Sequence, residues 1–446
     1  MGKGKGNLSE VIKVRENLEA NLLSLQKDLM DGNYKNSIYR IYSMYEPKLR
    51  LIYVLPYYPD RIVHHAIMNV LEPIWDSLFI YDSYACRKGK GQHKGMIKCS
   101  EYVRKYKYCA KLDISQFYVN IDHEILKIIL RKKIKDKDLL SILDIIIDSL
   151  ATREANIGYL KNFEGRKDAD IMRGKLERYV EEFGHRKAGV PIGNYLSQWF
   201  GNLYMNELDT YIKYDLKCSA YIRYCDDFII FGNDKKELHE VAEKAKVFAY
   251  DKLNLLLSKS NVFPITQGVD FLGYRTFPNN CVLLRKSTAK RIKRRFRKLD
   301  SLLKTADLDL DYARGMVAST EGWMKWANTY NFRKSIKLDS VKERIELLMR
   351  GIPKVLSSKE DYYYMAENFN EEVWKPLWGN LLFDDYIWIY AGEVEKAGKN
   401  TDIVKYEIME ENGKTTILKY EYVENPQSLY KNLGFTKDEI VKKLGA

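Results

Sequence analysis

Cysteine is scarce and dispersed in this 446-residue chain: Cys86, Cys99, Cys109, Cys218, Cys225 and Cys281 form no C-x-x-C pair and have no histidine cluster beside them. That spacing argues against a disulfide framework and against a zinc site, and fits thiols kept reduced in the cytosol. No apolar run reaches the roughly 18 residues that cross a bilayer. The opening MGKGKGNLSEVIKVRENL lacks the apolar core of a secretory leader. The expectation is a cytoplasmic protein with no membrane partner. Internal repeats and low-complexity tracts do not stand out, and the six histidines are too dispersed for an HNH-type cluster.

Positive charge is what the chain has in excess. Its 74 Lys and Arg against 61 Asp and Glu give a formal charge of +13 and a pI near 9.1. An excess of this size on a folded chain suggests a polyanionic partner, and nucleic acid is the usual candidate. With 46% hydrophobic and 13% aromatic residues the chain can bury large cores, and its length suggests about two to three domains.

Apolar spacing predicts an amphipathic helix over 8–30 and another over 60–79 ending near Pro73. Residues 39–56 read as strands around a turn at Glu46-Pro47, with Lys48 and Arg50 just past it. SYACRKGKGQHKG (83–95) is a glycine-rich basic loop carrying Arg87, Lys88 and Lys90. Such loops approach phosphates closely, although alone the signal also suits a solvated loop. YKYCAKLDISQFYV (106–119) reads as a strand delivering Asp113, Phe117 and Tyr118, followed by helix over 122–150 in two pieces split near Lys135. Residues 151–188 are charged and read as an insertion, helical in part. Next, GVPIGNYLSQ (189–198) is a glycine-rich turn entering a long helix whose N-terminus suits phosphate or sugar.

AYIRYCDDFIIFG (220–232) carries Asp226 and Asp227 between two apolar runs and reads as two strands joined at the acids. Adjacent Asp residues commonly mark surface turns, but these flanks would bury the hairpin. Clustered carboxylates are then costly unless a cation shares the site, and Mg²⁺ takes one or two carboxylates plus substrate phosphates. Helix over 235–253, a strand LNLLLSKSNVF and a hairpin over 268–277 follow, an α+β mixture with antiparallel pairs. Residues 285–298 hold nine basic positions in fourteen and no acid, including Lys290, Arg291, Arg294 and Arg295. We favour contact with phosphate backbone over a solvated face there. Residues 351–446 read as a separate C-terminal module, with Asn412-Gly413 as a hairpin signal.

With Asp113 on one strand and Asp226-Asp227 at a hairpin tip, these motifs resemble the reverse transcriptases. YCDD (224–227) is similar to their catalytic motif, LDISQFY (112–118) to their first aspartate motif and PIGNYLSQ (191–198) to the motif between. Ile before Gly193 and the Ser197-Gln198 ending resemble the diversity-generating-retroelement branch and the related antiphage-defence enzymes. DRIVHHAIMNVLEP (60–73), DSYACRKGKGQHKG (82–95) and GVDFLGYR (268–275) resemble that branch as well. The resemblance spans roughly residues 12–300.

It implies an α+β right-hand polymerase with 1–105 as N-terminal helix and fingers, 106–282 as palm and 283–350 as helical thumb, followed by the small C-terminal module. It implies an enzyme that makes DNA from dNTPs on an RNA template, with Asp113, Asp226, Asp227 and the Ile114 carbonyl holding two Mg²⁺ ions, for which Mn²⁺ could substitute. Tyr118 matches a steric gate against the ribose 2′-OH, with a packed core aromatic as the plainer reading. Lys48 and Arg50 match triphosphate clamps, with a surface turn pair as the rival. Lys259 matches a lysine near the β,γ-phosphates, or is simply solvated. Ile192 replaces a Gln that elsewhere contacts the nucleotide sugar, so reduced fidelity or altered base choice is expected beside Gly193. The template is expected to be a structured non-coding RNA, with an accessory protein or a second copy meeting the C-terminal module. Template-independent or protein-primed synthesis, and a silent RNA-binding scaffold, stand as alternatives.

Overall fold

The computed structural model describes residue 6, residues 8–45, 49–304 and 309–349, and the strands 402–411 and 414–423. Lys48, the Glu46-Pro47 turn, the Asn412-Gly413 loop and the rest of 351–446 lie outside the described residues. The chain divides into two compact units, Met1–Val282 and Leu283–Ala446.

In the first unit, α1 (Ser9–Glu16) and α2 (Leu18–Met30) replace the single N-terminal helix expected, because Asn17 leaves helical geometry at φ −128°. Strands β1 (Arg40–Met44) and β2 (Arg50–Val54) pair antiparallel, with Met44 opposite Arg50. Helix α3 (Ile62–Leu78) runs through Pro73 instead of ending there. Burial of Ile67, Leu71 and Trp75 on one face outweighs the lost hydrogen bond. After the basic loop come α4 (Gln92–Lys105) and β3 (Tyr108–Ile114). This strand stops earlier than its sequence suggests: Gln116 takes φ +49° and turns the chain into a 3₁₀ turn, Phe117–Asn120, that carries Tyr118.

Helices α5 (His123–Lys133) and α6 (Lys137–Asp148) flank the expected break, with Asp122 and Asp136 capping their N-termini. Then follow α7 (Thr152–Leu160), α8 (Lys167–Phe183), α9 (Tyr195–Thr210), β4 (Tyr221–Tyr224), β5 (Asp227–Gly232), α10 (Lys235–Leu253) and β6 (Leu257–Pro264). A short hairpin, β7 (Val269–Phe271) and β8 (Tyr274–Thr276), comes next.

The central sheet has the order β4-β5-β3-β6, antiparallel throughout. Alternate residues of a strand face opposite sides, and here both sides are buried. Phe228, Ile230, Ala110 and Leu112 join the large core with α3, α5, α9 and α10. Ile229, Phe231 and Cys109 join a second core with Val103 of α4 and Val269 and Phe271 of β7. That explains why FIIF (228–231) is apolar without alternation. Each such side chain contributes roughly 1.5–3 kcal/mol by burial.

The charged stretch 151–188 is built into this frame. α8 buries Ala169, Met172, Leu176 and Tyr179. The Tyr179 hydroxyl donates to the Ser115 carbonyl at 2.7 Å and accepts the Leu256 N–H at 2.9 Å. It therefore ties the chain just after Asp113 to the entry of β6.

The second unit opens around β9 (Val282–Leu284) and continues with α11 (Lys286–Lys304), α12 (Leu310–Met324), α13 (Tyr330–Ser335) and α14 (Leu338–Met349). Ile292, Phe296, Leu299 and Leu303 of α11 pack with Ala313, Val317, Leu338 and Val341. The basic helix is thus amphipathic, not positive all round. Strands β10 (Asp402–Glu411) and β11 (Lys414–Val423) pair antiparallel from Asp402↔Val423 to Glu411↔Lys414.

Replacing Tyr179 by Phe keeps the ring and removes the hydroxyl, leaving the Leu256 N–H without that partner. Chemical denaturation should show a loss of about 1–3 kcal/mol. An unchanged midpoint would mean that α8 does not brace the sheet.

Candidate active site

Asp113 is the last residue but one of β3, and its register partners are Asp227 on β5 and Lys259 on β6. Beyond it the β3–β6 register slips, with Asp113 opposite Lys259 but Ile114 opposite Leu257. Ser258 is the extra residue of this bulge, a device that re-aims side chains. Its hydroxyl donates to Asp113 Oδ2. Asp226 lies at the β4–β5 tip, and its carbonyl accepts the Ile114 N–H at 3.2 Å. The turn is therefore stapled to the end of β3, and Asp226 comes to lie beside Asp113.

The electrostatics record that closeness. Burial, then the Asp113 carboxylate, push Asp226 up from 3.8 to about 6, with Asp227 adding to the rise and Arg50 opposing it. Asp227 is drawn elsewhere: its Oδ2 lies 3.1 Å from Lys111 Nζ, which also donates to the Asp270 carbonyl of β7 at 2.5 Å. Among the described residues, no three His, Cys, Asp or Glu side chains converge as a ready metal cage. Two half-buried carboxylates, one holding its proton through burial and the charge of the other, nevertheless fit a divalent cation that takes phosphates as its further ligands.

Of the other expected residues, Tyr118 and Arg50 lie near enough to act on Asp226, and Lys259 faces Asp113 across the β3–β6 ladder. Tyr118 rests against Phe117, with ring centroids 5.1 Å apart, and its hydroxyl lies 3.8 Å from Cys225 Sγ, to which it donates. Burial pushes its phenol well above the ordinary value. Gly201 on α9 makes room for this ring, since a Cβ there would stand 2.9 Å from Tyr118 Cε1. Phe117 is buried in the core.

Gly193 has φ +114°, and a Cβ on it would meet the Tyr53 carbonyl at 2.9 Å. Only glycine lets β2 pass this close, where the Tyr53 N–H donates to the Ile192 carbonyl at 2.8 Å. Ile192 packs against the cluster of Val119, Leu160 and Leu176. Arg50, at the start of β2, is exposed and near enough to bias Asp226. Lys259 is exposed on the bulged strand.

The basic loop needs correction. Arg87 points inward, donating to Asp76 Oδ1 at 2.6 Å and to the carbonyls of Ile80, Ser83 and Asp76. Four of its five N–H donors are used in shaping the loop, so it serves the loop before any phosphate. Lys90 donates to the Tyr81 carbonyl and lies over the Tyr81 ring. Lys88 is 91% exposed, 3.1 Å from Glu72. On α11, Lys290, Arg294 and Arg295 are exposed and Arg291 is half-buried.

Two residues of the site were missed from the sequence. Lys111 carried a readable signal, since its two-residue spacing from Asp113 on a strand puts both on one face. Ser258 carried none, because its place depends on the bulge.

The family model for reverse transcriptase (RNA-dependent DNA polymerase) matches residues 45–276, more than half of the 446 and inclusive of Asp113, Asp226 and Asp227. The chain belongs to the reverse transcriptase family. Its α+β right-hand polymerase fold is the one the motifs led us to expect. Relatives include Protein YkfC of Escherichia coli (strain K12), 24% identical over 58% of this chain and 71% of that protein. Another is Group II intron-encoded protein LtrA of Lactococcus lactis subsp. cremoris, 22% identical over 57% of this chain and 49% of that protein. The structure of apo telomerase from Candida tropicalis aligns with a TM-score of 0.38 and 14% identity, over 72% of this chain and 65% of that chain. This reverse transcriptase thus spans about half of the LtrA protein. Among its described residues, no helix is long and apolar enough to cross a membrane.

The Asp226 shift sets a pH test. Between 3.8 and about 6 the folded carboxyl keeps a proton that the unfolded chain has released. Rising pH therefore lowers stability through this window in the metal-free protein. Thermal melts from pH 5 to 7 should show Asp226→Asn gaining on the parent as pH rises, and added Mg²⁺ restoring the parent but not the variant. Parallel melting curves for the two would contradict the shared acid site.

Proposed function

We propose that this reverse transcriptase is an RNA-directed DNA polymerase that copies a dedicated non-coding RNA into cDNA. The observation that supports it most is the meeting of Asp113 and Asp226 at the end of a sheet buried on both faces, with Tyr118 beside them. In this reading residues 1–105 are fingers, 106–282 palm and 283–350 thumb, and 351–446 bind the RNA, an accessory protein or a second copy. Asp113, Asp226 and the Ile114 carbonyl would hold the divalent cations, Mg²⁺ with Mn²⁺ as substitute. Asp227, expected as a further ligand, has its Oδ2 3.1 Å from Lys111 Nζ, and in this reading it would serve chiefly to anchor the turn.

When bound, such ions activate the attacking hydroxyl and neutralise charge on the transferring phosphate. The chain's residues do the rest. The primer 3′ oxygen bonds to the α-phosphorus of the dNTP as the bond to pyrophosphate breaks. Arg50, with Lys48 and Lys259, faces the triphosphate charge. Tyr118 closes the space a ribose 2′-OH would need. The exposed cations of α11 lie along the phosphate backbone of template and product, where each contact adds to the salt dependence of binding.

The Ile192 and Ser197-Gln198 pattern supports a place among diversity-generating or antiphage-defence enzymes. Sequencing the nucleic acid that copurifies with the chain decides between the two. A structured RNA with its cDNA supports defence, and a template repeat paired with a variable gene supports retrohoming.

Two substitutions test the site. Tyr118→Ala should raise rNTP incorporation relative to dNTP in primer extension, and unchanged discrimination would remove the gate. Ile192→Gln should lower misincorporation, and an unaltered error rate would refute the fidelity role.

A further inference from the structure

Arg223 on β4 is completely buried, three residues before Asp226. Its Nε and Nη2 donate to Asp209 Oδ1 and Oδ2 of α9, both at 2.7 Å. Nη1 donates to the Cys225 carbonyl at 3.0 Å and to Asn202 Oδ1 at 3.2 Å. Asp209 Oδ1 also accepts the Tyr221 hydroxyl at 2.5 Å. Asn202 Nδ2 in turn donates to the Ala85 carbonyl at 2.9 Å, next to the basic loop. The Arg223 main chain joins the same loop, with its N–H on the Asp82 carbonyl and its carbonyl on the Tyr84 N–H, both at 3.0 Å.

A buried ion pair of this kind is a poor source of stability, because desolvation cancels most of its attraction and apolar side chains of similar volume pack as well. What it supplies is direction. Cys225 holds φ +53°, a left-handed conformation that costs a non-glycine residue roughly 1–2 kcal/mol. The guanidinium grips the carbonyl of that residue, and the next residue is Asp226. We propose that Arg223 is a positioning residue: by fixing the Cys225 carbonyl against α9 it sets the aim of Asp226, and through Asn202 it locks the 82–91 loop to the same turn. Lysine cannot replace it, since one ammonium cannot span both Asp209 oxygens and the Cys225 carbonyl. The inference rests on the polymerase reading of the acid cluster.

The test compares the full chain with Arg223→Lys and with the apolar pair Arg223→Met plus Asp209→Leu, in steady-state primer extension on an RNA template with Mg²⁺. Both variants leave buried partners of Arg223 unsatisfied, Asn202 Oδ1 and the Cys225 carbonyl among them, so they should melt below the parent yet remain folded at the assay temperature and bind primed RNA equally well. Their kcat should fall by roughly 10- to 100-fold, as expected for a misaimed reacting group, with KM for dNTP changed by less than about twofold. A folded variant with the parent's kcat would overturn the inference. So would failure of both variants to fold, since the cluster would then be a requirement of the core. An inactive parent would instead overturn the polymerase reading.

Discussion

Two negative charges, Asp113 and Asp226, are held together by the backbone and not by attraction. The Ile114 N–H donates to the Asp226 carbonyl, so the β4–β5 tip cannot drift from the end of β3. Burial first, and then the Asp113 charge, let Asp226 keep its proton to about pH 6. A carboxylate pair of this kind is costly alone and favourable around a divalent cation. The rest of the first unit can be understood as the frame that keeps the pair from relaxing apart.

The frame acts from both faces and both ends of the sheet. Apolar residues of β3 and β5 alternate between two cores. Lys111 pulls Asp227 toward β7, while Ser258 holds Asp113 from the β6 bulge. Tyr179 pins the chain just beyond Asp113 to the entry of β6. Arg223 of β4, anchored on Asp209 of α9, grips the turn through the Cys225 carbonyl. Together these contacts hold a preorganised site, in which little reorganisation remains to be done when substrate arrives.

Much of this was legible in the sequence, for identifiable reasons. The YCDD hairpin, the Gly193 turn and the split at Lys135 announce themselves through local chemistry: apolar strands around acids, a glycine where φ must be positive, and Asp caps. Pro73 misled because tertiary burial of Trp75 and Leu71 outweighs a local breaker. Arg87 misled because composition cannot tell an arginine that meets phosphate from one that folds back on carbonyls. How the 151–188 stretch packs was hidden because its surface is charged, and Tyr179, its tie to the sheet, is one residue on a buried face. Ser258 was invisible, since a one-residue register slip leaves no compositional mark.

We propose a division of labour in which Asp113 and Asp226 would form the cation site and Asp227, 3.1 Å from Lys111 Nζ, would serve by anchoring the turn. Single-turnover primer extension with Asp226→Asn, Asp227→Asn, Lys111→Met and the Asp227→Asn/Lys111→Met pair tests it most directly. The expected result is near-total loss for Asp226→Asn, a smaller and matching loss for Asp227→Asn and Lys111→Met, and no further loss in their combination, because both single changes break one bond. An Asp227→Asn enzyme as inactive as Asp226→Asn, beside a fully active Lys111→Met, would contradict it.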